Sequence, residues 1–151
     1  MRYIIFLLLS VVLLSCSSEN YFSESQATSE DYTWDKSDMK SFNFDIDQTD
    51  NYDIQLNVKY LTGFRWDTLR LQWNTKRNID FQHAFLNVNI AMIDPNGNHI
   101  GEAQFDNWHT DIYLTNNIHL KKGNYTINVK HNMAEDILPY VTDIGITIEK
   151  L

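Results

Sequence analysis

The sequence predicts an all-β protein, an antiparallel β-sandwich of jelly-roll or immunoglobulin-like type. Three observations carry this. Several segments alternate apolar and polar residues with period two, as half-buried strands do. Turn signals such as Asp94-Pro95-Asn96-Gly97 separate them, and no long stretch has helical periodicity. The chain of 151 residues, 43% hydrophobic and 13% aromatic, has enough apolar material for one compact core but not two.

The strands follow in order. "FNFDI" is a short one beginning at Phe42. In "YDIQLNVKY", Tyr52, Ile54, Leu56, Val58 and Tyr60 share one parity, and Asp53, Gln55, Asn57 and Lys59 the other. "LRLQW" turns Leu69, Leu71 and Trp73 inward. "AFLNVNIAM" turns Leu86, Val88, Ile90 and Met92 to one side. After the Pro95-Asn96-Gly97 turn, where Asn96 and Gly97 are expected to supply left-handed residues, "HIGEAQF" and "NIHLKK" read as shorter strands. "YTINVKHNM" and "DIGITIEKL" complete the set, with Ile144, Ile146 and Ile148 on one face.

Ahead of these strands lies a different composition. Arg2 and the apolar run Tyr3–Leu14 form a charged and then a hydrophobic region, too short for a bilayer core that needs ~20 residues. Residues 1–15 therefore read as a signal peptide. Leu13-Leu14-Ser15-Cys16 resembles a bacterial lipobox, with the only cysteine of the chain at the position that is acylated. Two or more acyl chains, each contributing about 0.8 kcal/mol per buried methylene, make such anchoring stable. Residues 16–33 then read as the acylated cysteine and a flexible, serine-rich tether whose Tyr21-Phe22 pair can dock on the domain, and residues 34–151 as the sandwich. Ser17 rather than aspartate follows the cysteine, which favours the outer membrane; the leaflet stays open.

The charge balance excludes some functions. Twenty acidic residues face twelve basic ones, for a net charge of −8, so a phosphate-binding nucleic-acid surface is not expected. One cysteine excludes an intrachain disulfide and a paired-thiolate zinc site. No metal is expected. His99, His109, His119 and His131 fall on separate strands or loops, His83 precedes a strand, and none forms an i, i+4 helical pair. His131 shares the parity of Ile127 and Val129 and is expected to be a strand-end histidine with a hydrogen-bond partner. No GxSxG and no phosphate-cradling glycine loop is present, so neither catalytic residues nor a cofactor are assigned.

The aromatic residues offer a recognition surface. Trp73 follows the inward parity. Trp66 and Trp108, in "GFRWDT" and "DNWHTD", sit near strand ends beside Arg65 and several polar residues. Arg65, Trp66 and Trp108 are the candidate contacts for a protein partner or a glycan. Packing over the sandwich ends is the competing reading of both tryptophans.

From Tyr21 to Lys150 the chain resembles the gliding motility lipoprotein GldH family of Bacteroidetes. The resemblance rests on "YDIQLNVKY", on "DPNGNHIG", and above all on "KKGNYTINVKHNMAEDILPYVTDIGITIEK", which carries Gly123, Tyr125, Val129, Met133, Leu138, Val141, Asp143, Ile144, Gly145, Glu149 and Lys150 at the family's spacing. Ala134 stands where the family has arginine, and Phe64-Arg65-Trp66 replaces its Tyr-Pro-Tyr/Phe element. Membership implies a non-enzymatic accessory or assembly lipoprotein of the gliding apparatus, linked to type IX secretion, with other proteins of those machineries as partners. Asp67-Thr68-Leu69 also matches the short acceptor pattern of O-glycosylation in that phylum, making Thr68 a candidate site. A surface lipoprotein binding glycans through Trp66 and Trp108 is the alternative.

Overall fold

The computed structural model describes residues 20–77 and 84–151. Its strands are β1 (Asn20–Ala27), β2 (Thr33–Asp35), β3 (Lys40–Ile46), β4 (Asp50–Leu61), β5 (Thr68–Arg77), β6 (Leu86–Ala91), β7 (Glu102–Gln104), β8 (Asn107–Leu120), β9 (Gly123–His131), β10 (Ile137–Pro139) and β11 (Val141–Lys150). No helix occurs among the described residues. One sheet has the order β1-β11-β4-β8-β7, a second the order β3-β9-β5-β6, and β10-β2 form a small pair. All pairings are antiparallel.

Setting aside the three-residue strands, eight remain, four in each sheet. Their order is first-eighth-third-sixth in one sheet and second-seventh-fourth-fifth in the other. That arrangement is a jelly roll, and it decides between the two sandwich types expected.

The alternating segments behave as their periodicity requires. Tyr52, Ile54, Leu56, Val58 and Tyr60 are all buried, while Lys59 on the opposite parity is exposed. Leu69, Leu71 and Trp73 on β5, Ile127 and Val129 on β9, and Ile144, Ile146 and Ile148 on β11 fill the same core. Removing such apolar area from water supplies roughly 25 cal/mol per Å².

The Pro95-Gly97 turn forms with one difference. Asp94 Oδ1 accepts from the backbone N–H groups of Asn96 (2.8 Å) and Asn98 (2.9 Å). These bonds, that of Asn98 foremost, hold the Asp94 carboxyl below the usual range. Gly97 takes a φ of 86°, but Asn96 is not left-handed, because the aspartate closes the turn in its place.

The tether expected over residues 16–33 is corrected for its described part. Asn20–Ala27 is strand β1, paired with β11 from Asn20↔Glu149 to Ala27↔Asp143. Tyr21 meets Tyr52 edge-on at 5.4 Å, and Phe22 lies 5.4 Å from Phe44. The domain therefore includes residue 20, not residue 34, as its first described strand residue. A polar segment becomes an edge strand here because β11 offers it an unpaired backbone ladder and one side faces solvent. The signal peptide and Cys16 lie outside the described residues.

β8 is longer than "NIHLKK" suggested. Between Tyr52 and Gln55 of β4, three steps, β8 takes five steps from Ile118 back to Tyr113. The polar Thr115-Asn116-Asn117 run is thus absorbed as bulges, with Asn117 at a φ of 53° and its N–H donated to the Asp53 carboxylate at 2.6 Å. Two extra residues preserve parity, so Ile112, Leu114, Ile118 and Leu120 all face inward.

Candidate functional site

The aromatic end of the sandwich is built around Tyr60. Its ring is buried, and its hydroxyl donates to the Ile100 carbonyl at 2.7 Å. Burial pushes that hydroxyl up to about 12. The chain leaving β4 turns back at once, the Phe64 N–H donating to the Leu61 carbonyl at 2.9 Å. Phe64 is thereby set edge-on to Tyr60 at 5.6 Å.

Trp66 packs on Phe64 at 5.2 Å, and Trp108 lies over Tyr60 at 6.5 Å with the planes 24° apart. His99 stacks on Trp108 at 5.0 Å. The two loop tryptophans are therefore joined through a buried Phe64–Tyr60 pair into one run of rings. Each packs against the core and keeps part of its surface exposed. Both indole N–H groups are held within the protein: Trp66 donates to Glu135 Oε1 at 3.0 Å and Trp108 to Thr62 Oγ1 at 3.2 Å. What the two indoles still offer a ligand is ring face and edge, not a free donor.

A cavity of about 360 Å³ opens beside Trp108, lined among others by Tyr32, Lys59, Glu102, Gln104, Asn107 and Asp143. Trp66 is not among its lining residues. Arg65 is exposed between Phe64 and Trp66. Thr68 is half-buried at the start of β5, opposite Ala91 on β6.

The histidines do not converge. His109 Nε2 lies 2.8 Å from Asp111 Oδ1, His119 Nδ1 bonds Asn51 Oδ1 at 2.9 Å, and His131 is buried beneath Trp34. The His131 ring faces the backbones of Trp34 and Asp136, each of which favours the protonated form as a hydrogen-bond partner does. Among the described residues no three His, Cys, Asp or Glu side chains stand together as metal ligands. His83 lies outside them.

The sequence reading missed Tyr60, Phe64 and His99 as parts of this end. Tyr60 looked like one more core residue of its strand. The signal available was the aromatic pair Phe64-Trp66 following Gly63 within a turn. The strand registers also locate the site. Tyr60 pairs with Trp108 and Val141, whereas Asn20 pairs with Glu149, which pairs with Asp53. Arg65, Trp66 and Trp108 are thus at the opposite end of the sandwich from the start of β1.

None of the curated proteins compared matches the chain. Among solved structures, Eiger TNF from S. frugiperda is similar over 70% of this chain and 62% of its own, at 14% identity and a TM-score of 0.36; the match spans less than two thirds of that protein. The family described as GldH lipoprotein matches residues 20–148, which is nearly all of the chain and runs from the start of β1 into β11. The chain belongs to the GldH lipoprotein family.

Proposed function

We propose that this protein is a non-catalytic, lipid-anchored envelope component of the gliding motility machinery, accessory to its assembly and linked to type IX secretion. The observation that carries this reading is the family match across residues 20–148. The Leu13-Leu14-Ser15-Cys16 junction supports acylation at Cys16 and an outer-membrane location.

The geometry suits a tethered binding module. Strand β1 begins four residues after Cys16, a separation of at most ~14 Å in extended chain. The level of Asn20 and that of Trp108 are seven steps apart along β4, or roughly 24 Å. An anchor at Cys16 would hold one end of the sandwich at the bilayer and present Arg65, Trp66 and Trp108 away from it, toward a partner protein of the machinery. Tethering raises the local concentration of that surface at one membrane without any new contact.

The test is a gene deletion, filmed on a surface. Gliding should stop or be crippled, with reduced secretion of type IX cargo. Normal spreading by the deletion strain, with no second copy of the gene, would defeat the reading. A second reading, glycan binding, is favoured by the cavity beside Trp108, whose Tyr32, Glu102, Gln104, Asn107 and Asp143 side chains suit sugar hydroxyls. Loss of growth on one polysaccharide with normal gliding would put it first.

A further inference from the structure

The fourteen residues of β8 form most of one edge of the five-stranded sheet. β4 pairs along one side of it from Asn107 to Leu120. On the other side β7 covers only Asn107–His109. From Asp111 to Leu120, among the described residues, that second side has no strand neighbour.

The inward side chains of this stretch look unfinished. Ile112, Leu114 and Ile118 are apolar but only half-buried, whereas Ile54, Leu56 and Val58 on the adjacent β4 are almost wholly enclosed. Across the gap, Leu86 at the start of β6 is 56% exposed. Between them runs a slot of about 460 Å³, lined by Trp73, Ala84, Leu86, Leu114, Thr115 and Ile118 with Asn74 and Thr75. Through Thr75 and Ile118 it continues into a second cavity of about 300 Å³ whose walls include Arg77, His119 and Lys121.

Three features therefore coincide: an open backbone ladder, an apolar slot beside it, and the Lys121 ammonium at its far end on a chain whose net charge is −8. A lipid chain or a small apolar molecule would use only the slot. An extended peptide uses all three, because its own N–H and C=O groups complete the ladder while alternate side chains enter the slot. The other edge of the same sheet, β1, is polar over Ser23–Gln26.

We propose that the β8 edge is a docking site for an extended segment of a partner protein. The segment adds as a strand beside Asp111–Leu120, sends apolar side chains between Leu86 and Leu114, and brings a carboxylate to Lys121 at the far end. This goes beyond the gliding reading and stands or falls without it, since the test below uses no motility readout.

The test takes the mature protein in lipid nanodiscs and a labelled synthetic peptide that alternates valine with threonine and carries glutamate at each end. Peptide binding should be seen by fluorescence anisotropy, and hydrogen exchange over Ile112–Ile118 should slow when the peptide is saturating. The same peptide with every backbone nitrogen methylated should bind at least about tenfold more weakly. Leu86→Glu should do the same, and Ala84→Trp, which fills the slot without adding charge, serves as the second variant if Leu86→Glu unfolds. Equal binding of the methylated peptide, or no slowing of exchange on β8, overturns the proposal. So does protection, in the peptide-free monomer, of those β8 amides that point away from β4, which would mean the chain covers its own edge. Protection that grows with protein concentration also overturns it, in favour of a second copy as occupant.

Discussion

Trp34 meets His131 edge-on, with ring centroids 5.3 Å apart and planes inclined at 64°. Both side chains are buried, His131 at 1% exposure. Burial, and after it the Lys36 charge, lowers the imidazole below its ordinary 6.5, against a smaller pull from the Trp34 backbone, Asp35 and the Asp136 backbone. The unfolded chain therefore takes up a proton near pH 6.5 that the native chain refuses until lower pH. Stability from this site is full above that value and declines as pH falls through it. The thermal midpoint should drop between about pH 7.5 and about pH 5.5, and the drop should be smaller in His131→Leu. Parallel curves for the two proteins would show that His131 is not the source.

Lys40 is expected to bind the two sheets together at the end of β1. It is 7% exposed, and its ammonium donates to the Ala27 carbonyl at 2.7 Å while lying 2.7 Å from Asp38. Nearby, Thr28 Oγ1 donates to the Val141 carbonyl at 2.6 Å. Lys40→Met removes the donor and leaves a carbonyl unanswered, at a cost of about 1–3 kcal/mol. Urea unfolding should show an earlier midpoint at unchanged slope. An unchanged midpoint would remove Lys40 from this role.

A chain beginning at Thr28 should be much less stable than one beginning at Asn20. It loses the β1–β11 ladder and uncovers the backbone edge of β11. Light scattering on heating should rise earlier as that edge becomes available to other molecules. A flexible tether would give two equal melting curves.

Cys16 should be the acylated first residue of the protein isolated from membranes. Intact mass decides this, because cleavage before Cys16 with added acyl chains gives a mass that no other processing site reproduces. Cys16→Ser should leave the precursor uncleaved or release a soluble form. It should also reproduce much of the deletion phenotype, since the tether, not a catalytic group, is what the proposed role depends on.

The sequence by itself determined which side chains of β4, β5, β9 and β11 are inside. Alternation is a local property: with a period of two, every second residue of a strand faces the same layer, whatever strand lies beside it. It determined the turn at Asp94–Asn98 for the same kind of reason, since the aspartate and glycine act within five residues. Tertiary structure alone decided which strands pair, and so chose the jelly roll. It decided that Asn20–Ala27 is a strand at all, because the hydrogen bonds that make it one come from β11, more than a hundred residues away. It also decided that the polar Thr115–Asn117 run stays inside β8. Trp66 and Trp108, forty-two positions apart, meet the same buried pair only because β4 and β8 are neighbours and the turn after Leu61 folds Phe64 back beneath Tyr60. Such juxtapositions depend on backbone partners distant in the chain, and no local pattern of residues encodes them.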